Sequence, residues 1–183
     1  MEAGTPQLVK LEDLHVGGQL TGRKHILSLM VENKPGVLAR IAGMFSRRGF
    51  NIDTLAVGPT DDPGISRITL TLDGALHPID QVTKQLNKLV NVIKLRDMEP
   101  DATIAREMAL FKVTAPAETR SEIMQLAEIF RARVVDVSRR TMTIELTGSA
   151  DKVEAFERML RPHGLVEMVR TGEIAIARSK PES

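Results

Sequence analysis

Residues 25–59 read HILSLMVENKPGVLARIAGMFSRRGFNIDTLAVGP, and this stretch decides the fold. It begins with an apolar run, Ile26 to Val31, which is typical of a buried strand. Residues 32–36 interrupt that strand, and Pro35 suits the first turn of a helix because its φ is fixed and it has no N–H to leave unbonded. Apolar side chains then recur at the spacing of a helix that covers a sheet, namely Val37, Leu38, Ile41, Ala42 and Phe45.

A second strand follows this helix. Gly49 is expected to end the helix in the left-handed conformation, after Arg47 and Arg48, which complement the negative end of the helix dipole. Phe50 to Val57 then reads as a strand. The stretch therefore predicts a β–loop–α–β unit.

The turn before the helix carries the chemical interest. A glycine beside exposed N–H groups at a helix start, here Gly36, is suited to receive a carboxylate or phosphate, and Asn33 offers a side-chain amide next to it. A Pro-Gly turn more often serves only to connect a strand and a helix. The spacing alone leaves both interpretations open.

The rest of the first half completes a ferredoxin-like unit. Ile65 to Leu72 alternates as a strand, His77-Pro78 leads a second helix with one apolar face, and Asn91 to Met98 is a fourth strand. The order βαββαβ within about 75 residues predicts the split-βαβ arrangement, an antiparallel sheet with both helices on one face.

The second half repeats this order, so we predict an α+β protein of two tandem ferredoxin-like βαββαβ domains. The predicted strands cover 108–115, 134–140 and 141–147, residues 165–178 supply the final strand or strands, and the predicted helices cover 118–131 and 150–163. The first connection of the repeat, APAET at 115–119, has no glycine and has Glu118 where an anion would lie. We therefore assign ligand binding to the first domain.

Composition excludes several classes of protein. The 183 residues include 25 basic and 24 acidic ones, and this balance argues against binding DNA, RNA or an anionic membrane through a charged surface. The absence of cysteine excludes a disulfide, a thiol nucleophile and a Cys-ligated metal, and it fits the reducing cytoplasm. Residues 1–22 have Gly and Pro breaks and no long apolar run, so they read as a flexible tail rather than a signal peptide or membrane span.

No catalytic cluster is predicted. Asp61 and Asp62 are adjacent carboxylates, but their Pro/Gly-rich surroundings favour a turn. The rival classes are a small ferredoxin-like enzyme, which lacks a catalytic cluster, and an amino-acid-responsive transcription factor. The second would need a helix-turn-helix, and residues 1–22 are too short and too Gly-rich to form one. None of the four histidines has metal-ligand spacing: His15, His25, His77 and His163.

The chain resembles a known family over nearly its whole length. The segments that carry the resemblance are ENKPGVLARIAGMFSRRGFNIDTLAVGPTDDPGISRITLTLDG (32–74), KQLNKLVNVIKLRDM (84–98), EMALFKVTA (107–115), EIFRARVVDVS (128–138) and TMTIELTGS (141–149). They resemble the regulatory (small) subunit of acetohydroxyacid synthase, also called acetolactate synthase, whose N-terminal half is an ACT domain.

The resemblance implies a non-catalytic subunit that activates a separate large subunit. It would confer feedback inhibition by valine, or by another branched-chain amino acid, on the synthesis of valine, leucine and isoleucine. Thiamine diphosphate, Mg²⁺ and FAD are expected in the large subunit and no cofactor in this chain. ACT domains hold the amino acid between paired domains, so a homodimer through these domains is implied.

The resemblance also implies domain limits and ligand residues. We expect a tail at 1–22, the ACT domain at 23–100, a linker at 101–106, a C-terminal ferredoxin-like regulatory domain at 107–178 and a short tail at 179–183. Lys34 and Pro35 fill positions that the family varies, so no ligand contact is assigned to them. The motif positions that transfer as amino-acid ligands are Asn33, Gly36, Val37, Leu38, Asn51, Ile52 and Gly58.

Overall fold

The computed structural model describes residues 24–74 and 78–179. Its N-terminal unit is a four-stranded antiparallel sheet in the order β2-β3-β1-β4. The elements are β1 (Lys24–Glu32), α1 (Val37–Arg48), β2 (Thr54–Pro59), β3 (Ile65–Asp73), α2 (Ile79–Leu86) and β4 (Val92–Met98).

The C-terminal unit has the same topology, with its main sheet in the order β6-β7-β5-β8. The elements are β5 (Thr103–Thr114), α3 (Ala117–Ile129), β6 (Arg133–Val137), β7 (Thr141–Gly148), α4 (Ala150–Leu160), β8 (Leu165–Arg170) and β9 (Ile174–Ala177). The predicted fold class, two βαββαβ units with antiparallel sheets, is confirmed.

Each unit has its own apolar core between its sheet and its helices. In β1, Leu27, Leu29 and Val31 are buried in the first core, as the alternation of side chains in a strand requires. In the second core, the ring of Phe156 lies 5.2 Å from that of Phe111 and 5.0 Å from that of Phe130. The few aromatic residues of the chain are therefore concentrated where they fill the cores.

Two predicted elements are shorter in the structure. β2 begins at Thr54 rather than Phe50, because Phe50 packs edge-on against Phe45 with ring centroids 6.2 Å apart. The second helix ends at Leu86. Of the two apolar residues that follow at 89 and 90, Leu89 packs against the core and Val90 is 92% exposed, so a further helical turn would bury little apolar surface.

The expected linker at 101–106 is not a loop. Pro100–Ala102 form a 3-10 turn, and Thr103 to Arg106 are the first residues of the twelve-residue strand β5. This part of β5 pairs with β9. Residues 165–178, expected to supply the final strand or strands, form two strands, β8 and β9, separated around Gly172, whose φ is +79°.

The β5–β9 ribbon lies against the N-terminal sheet on the face opposite its helices. β9 borders Ser28 and Met30, which alternate with the buried leucines of β1. Lys24 Nζ lies 2.8 Å from Glu173 Oε2 across the same boundary, and a Cβ added to Gly172 would come within 3.2 Å of Thr54 Cβ. The C-terminal unit therefore covers part of the sheet face that the helices leave open.

The expected tail at 1–22 lies outside the described residues, as do His15 and His77. Within the described ranges, no helix is both long enough and apolar enough to cross a membrane.

Candidate functional site

The turn between β1 and α1 has the backbone geometry of an anion receptor. Gly36 has a φ of +83°, which L side chains rarely adopt, and it precedes α1 without any side-chain cap. Its carbonyl accepts a hydrogen bond from Arg40 N at 3.0 Å, whereas Val37 N lies 3.4 Å from Lys34 O. The N–H groups of Leu38 and Ala39 belong to the first turn of the helix, where no intrahelical carbonyl is in reach.

Asn33 anchors this turn to the loop between β2 and β3. Its side-chain Nδ2 donates to Pro63 O at 3.0 Å, and its backbone N donates to Gly64 O at 2.8 Å. Because Nδ2 faces the loop, Oδ1 is the atom that can accept a hydrogen bond from a ligand.

A polar network supports the base of the turn. Asn91 Nδ2 donates to Glu32 Oε2, Lys34 Nζ donates to Glu32 Oε1 at 3.1 Å, and Arg40 Nη1 donates to Asn91 Oδ1 at 3.1 Å. The hydrogen bonds from Asn91 and Lys34 hold the pKa of the Glu32 carboxyl below its usual range. The Lys34 side chain is therefore directed to Glu32, in line with the absence of an assigned ligand role.

The structure separates the roles of the other residues predicted at this end of the sheet. The Val37 side chain is part of the apolar core, whereas Leu38 is 42% exposed beside the turn. Gly58 lies in β2 opposite Arg67, and a Cβ added there would meet no atom within 4 Å. Leu38 and Gly58 thus leave space on the surface, and Val37 can offer only its backbone.

Asn51 and Ile52 lie at the opposite end of the sheet from Gly36. They follow the C-terminus of α1, whose twelve residues span about 18 Å. Asn51 Nδ2 donates to Asp53 Oδ1 at 3.2 Å, and both residues border a cleft of about 600 Å³ against Arg170–Gly172. Within one chain the structure therefore places Asn33, Gly36, Val37, Leu38 and Gly58 at one end of the sheet and Asn51 and Ile52 at the other.

The corresponding turn of the C-terminal unit is closed. Pro116 precedes α3 in an extended conformation, with φ −63°, and Glu118 lies in the first helical turn. The Nη2 of Arg120 donates to three carbonyls, those of Ala115 (2.8 Å), Ser138 (2.7 Å) and Arg139 (3.0 Å). Arg120, which the sequence analysis did not single out, thus ties this turn to the β6–β7 hairpin.

The described histidines and Asp62 have structural partners. His25 Nδ1 lies 3.1 Å from Asp97 Oδ2, and His163 Nε2 lies 3.8 Å from Glu122 Oε1. Asp62 Oδ1 accepts a hydrogen bond from Gly64 N at 2.8 Å, as expected of a turn residue. Among residues 24–74 and 78–179, no three His, Asp or Glu side chains gather as metal ligands would.

Two family models match the chain. One, described as an AHAS small subunit-like ACT domain, matches residues 27–94, and the other, described as the small subunit of acetolactate synthase, matches residues 106–179.

Relatives of the chain include curated proteins and a solved structure. The probable acetolactate synthase small subunit of Methanothermobacter thermautotrophicus is 52% identical over 155 residues, which cover 84% of this chain and 92% of that one. The acetolactate synthase small subunit of Mycolicibacterium smegmatis is 50% identical over 154 residues, 84% of this chain and 91% of that one. The crystal structure of the Thermotoga maritima small subunit is similar with a TM-score of 0.79 and 44% identity, over 86% of this chain and 99% of that one.

Proposed function

We propose, since the chain belongs to the family of acetolactate synthase small subunits, that it activates a catalytic large subunit and makes it sensitive to a branched-chain amino acid, with valine the first candidate. The observation that carries the proposal is the uncapped start of α1 after Gly36, which offers backbone N–H groups beside an anchored asparagine. This is the chemistry that an amino acid's charged groups require.

The ligand's orientation follows from these groups. Its carboxylate would accept hydrogen bonds from the N–H groups of Leu38 and Ala39, and its ammonium would donate to Asn33 Oδ1. Its aliphatic side chain would cover Leu38. Hydrogen bonds to charged groups contribute about 1.5–3 kcal/mol each, and burying the aliphatic side chain about 1.5–3 kcal/mol. Their sum supports micromolar binding, about 8 kcal/mol, after the entropy of association is subtracted.

A second copy of the chain would complete the site. β2 is an edge strand of its sheet, and two copies can pair there in antiparallel fashion around a twofold axis. Antiparallel pairing would place the start of one β2 beside the end of the other. Asn51 and Ile52 of the second copy would then lie near Gly36 and Gly58, which are about one helix length away within a single chain.

The reaction itself would belong to the large subunit. We propose that thiamine diphosphate, Mg²⁺ and FAD bind there and that this chain holds none of them. The amino acid would act by linkage, because a ligand shifts an equilibrium only if two states of the dimer bind it with different affinity. A coupling free energy of about 1–3 kcal/mol corresponds to a change of roughly 5–150-fold in affinity.

The function is tested by assaying acetolactate formation from pyruvate with the large subunit alone, with this chain alone, and with both. We expect this chain alone to be inactive with all three cofactors supplied, and its addition to raise the turnover of the large subunit severalfold. Valine, leucine and isoleucine are then titrated separately to identify the effector. Turnover that neither rises with this chain nor responds to any of the three amino acids contradicts the proposal.

Reciprocal binding is the second measurement. Suppose that the effector changes the affinity of this chain for the large subunit by some factor. The large subunit must then change the affinity of this chain for the effector by the same factor. Calorimetric titrations of the effector with and without the large subunit measure this factor, and an effector affinity that the large subunit leaves unchanged contradicts the linkage.

A further inference from the structure

Three cationic side chains meet on the helix-free face of the N-terminal sheet. Arg67 of β3 and Lys94 of β4 are the two cross-strand neighbours of Met30, and Arg96 is paired with the adjacent Ser28. Neighbouring strands lie about 4.8 Å apart and alternate residues of a strand about 6.8 Å apart, so the backbone positions of Arg67 and Lys94 are about 10 Å apart and those of Arg67 and Arg96 about 12 Å apart.

Nothing acidic lies among them. Among the described residues, none of the three makes an ion pair, although Lys24 on the same face pairs with Glu173. The pocket that they border is lined by no Asp or Glu. Like charges placed this closely on a sheet are destabilising when no counter-ion is present. A cluster of this kind is therefore suited to an anion that is not part of the chain.

The cations surround a built cavity of about 190 Å³. One wall includes the hydroxyl-bearing Ser28, which is 9% exposed, and another is formed by residues 175–177 of β9. Arg178 N donates to Ala102 O at 2.8 Å, so the alternation of an antiparallel ladder turns the N–H groups of Ala175 and Ala177 to the edge of β9 that is not paired with β5. Hydroxyl and N–H donors thus accompany the three charges.

We propose that this cavity binds a small multivalent oxyanion, carried on phosphate or on carboxylate groups. Arginine offers paired donors that match the oxygens of either group, and such charge-assisted hydrogen bonds are stronger than neutral ones. The volume is below the roughly 300–1,000 Å³ of pockets for larger ligands, so an anion of the size of pyrophosphate or a short dicarboxylate fits best. Since the cavity lies between β1 and β9, the anion would join the two units.

The site is tested on the full chain by thermal unfolding and calorimetry. Pyrophosphate and malonate are compared with chloride at one ionic strength, which separates specific binding from screening. We expect one or both oxyanions to raise Tm above its value in chloride and to bind with a stoichiometry near one anion per chain. The anion that binds more tightly shows whether phosphate or carboxylate groups are recognised. Equal Tm values in all three salts overturn the proposal.

Charge-removing variants locate the binding. Arg96→Gln should raise the dissociation constant of the stronger anion at least about tenfold, because a hydrogen bond to a charged group is lost. Lys88→Gln, which removes an exposed charge after α2, is the matched control and should leave it unchanged. In chloride alone, Arg67→Gln combined with Lys94→Gln should raise Tm, because repulsion is relieved. Anion binding that persists in these cavity variants overturns the site.

An acidic surface of a partner protein is the competing occupant. If such a surface is the occupant, neither oxyanion binds the parent chain. The triple variant Arg67→Gln, Lys94→Gln, Arg96→Gln then weakens association with the large subunit. That pair of results overturns the small-anion site.

Discussion

Gly36 combines two properties that no other residue type supplies together. Its φ of +83° directs the chain from β1 into α1, and the space where a Cβ would lie is empty, so a ligand can approach the backbone. Gly49 adopts the same left-handed conformation at the other end of α1 and also has no atom near a built Cβ. At Gly49 the conformation ends the helix, and at Gly36 it opens the helix start to solvent.

Replacing Gly36 by Asp should abolish feedback inhibition while the large subunit is still activated. The new carboxylate would occupy the helix start and repel the ligand's own carboxylate, and the first helical turn favours the negative charge by about 0.3–1 kcal/mol. Gly36→Ala is the matched control, since it carries the same backbone strain without the charge. Inhibition constants for valine are measured for both. If the Asp variant is inhibited like the Ala variant, the ligand binds elsewhere.

Glu32→Gln should destabilise the protein at pH 7 more than at acidic pH. The pKa of Glu32 is lowered in the folded state, chiefly by the hydrogen bond from Asn91, so its contribution is fully present above the unfolded pKa and is lost as the pH falls through the folded pKa. Urea unfolding of parent and variant is compared at pH 7 and near pH 3. A stability difference that is independent of pH would show that the carboxylate's charge has no part in it.

At the scale of elements, β5 carries most of the organisation of the C-terminal unit. Its first four residues pair with β9 and the remainder pairs with β7 and β8. Glu107 lies where the two regions meet, and its fully buried carboxylate accepts hydrogen bonds from Nε (3.1 Å) and Nη2 of Arg170. Burial opposes the charge of Arg170, but the hydrogen bond and charge of Glu107 outweigh it, so the pKa of Arg170 is raised.

Glu107→Ala should lower the free energy of unfolding by about 3 kcal/mol, because the guanidinium of Arg170 loses its partner in a partly buried position. The double variant Glu107→Met, Arg170→Met should recover much of that loss, since it removes both charges and keeps apolar volume. Denaturant titrations measure both. Equal destabilisation by the single and double variants would show that packing, and not the uncompensated charge, is responsible.

The sequence predicted most elements because their signals are local. The Gly49 helix end, the alternation in β3 and the repeat of the βαββαβ order are all readable over a few residues. The sequence predicts a linker where β5 begins, because the partner strand β9 lies about 70 positions away and no local signal in 101–106 indicates that pairing. Arg170 and Glu107, separated by 63 positions, were missed for the same reason. Of the candidate site, the turn residues were predictable, whereas the separation of Asn51 from Gly36 required the sheet.

At the scale of the whole molecule, the proposed site depends on the free edge of β2. Thr60 N donates a hydrogen bond to Ile65 O, and this bond fixes which residues of β2 face β3. Because the pattern alternates, Thr54, Ala56 and Gly58 bond to β3, whereas Leu55 and Val57 direct their N–H groups away from it. Pro59, which has no N–H, also occupies an outward position, so its presence removes no hydrogen bond between β2 and β3. The edge thus has two donors available to a second copy.

Val57→Pro should convert the protein to a monomer. Valine binding should then weaken at least about tenfold, because the charged ligand loses its hydrogen bond to Asn51 of the second copy. Val57→Ala shortens the side chain but retains the N–H, so it is the control for lost apolar contact and should remain dimeric. Sedimentation and calorimetric titration report the two effects. A Pro variant that stays dimeric with unchanged valine affinity would show that β2 is not the dimer edge.

The contact between the β5–β9 ribbon and the N-terminal sheet also couples the two units mechanically. β9 pairs with β5 at four register positions and borders Ser28 and Met30 of β1. Rotation of one unit about the other would therefore have to break the contact between β9 and β1 and the ion pair between Lys24 and Glu173. A tilt or a shear of one unit is accordingly transmitted to the other, as between two rigid bodies in contact and not as between domains on a flexible linker.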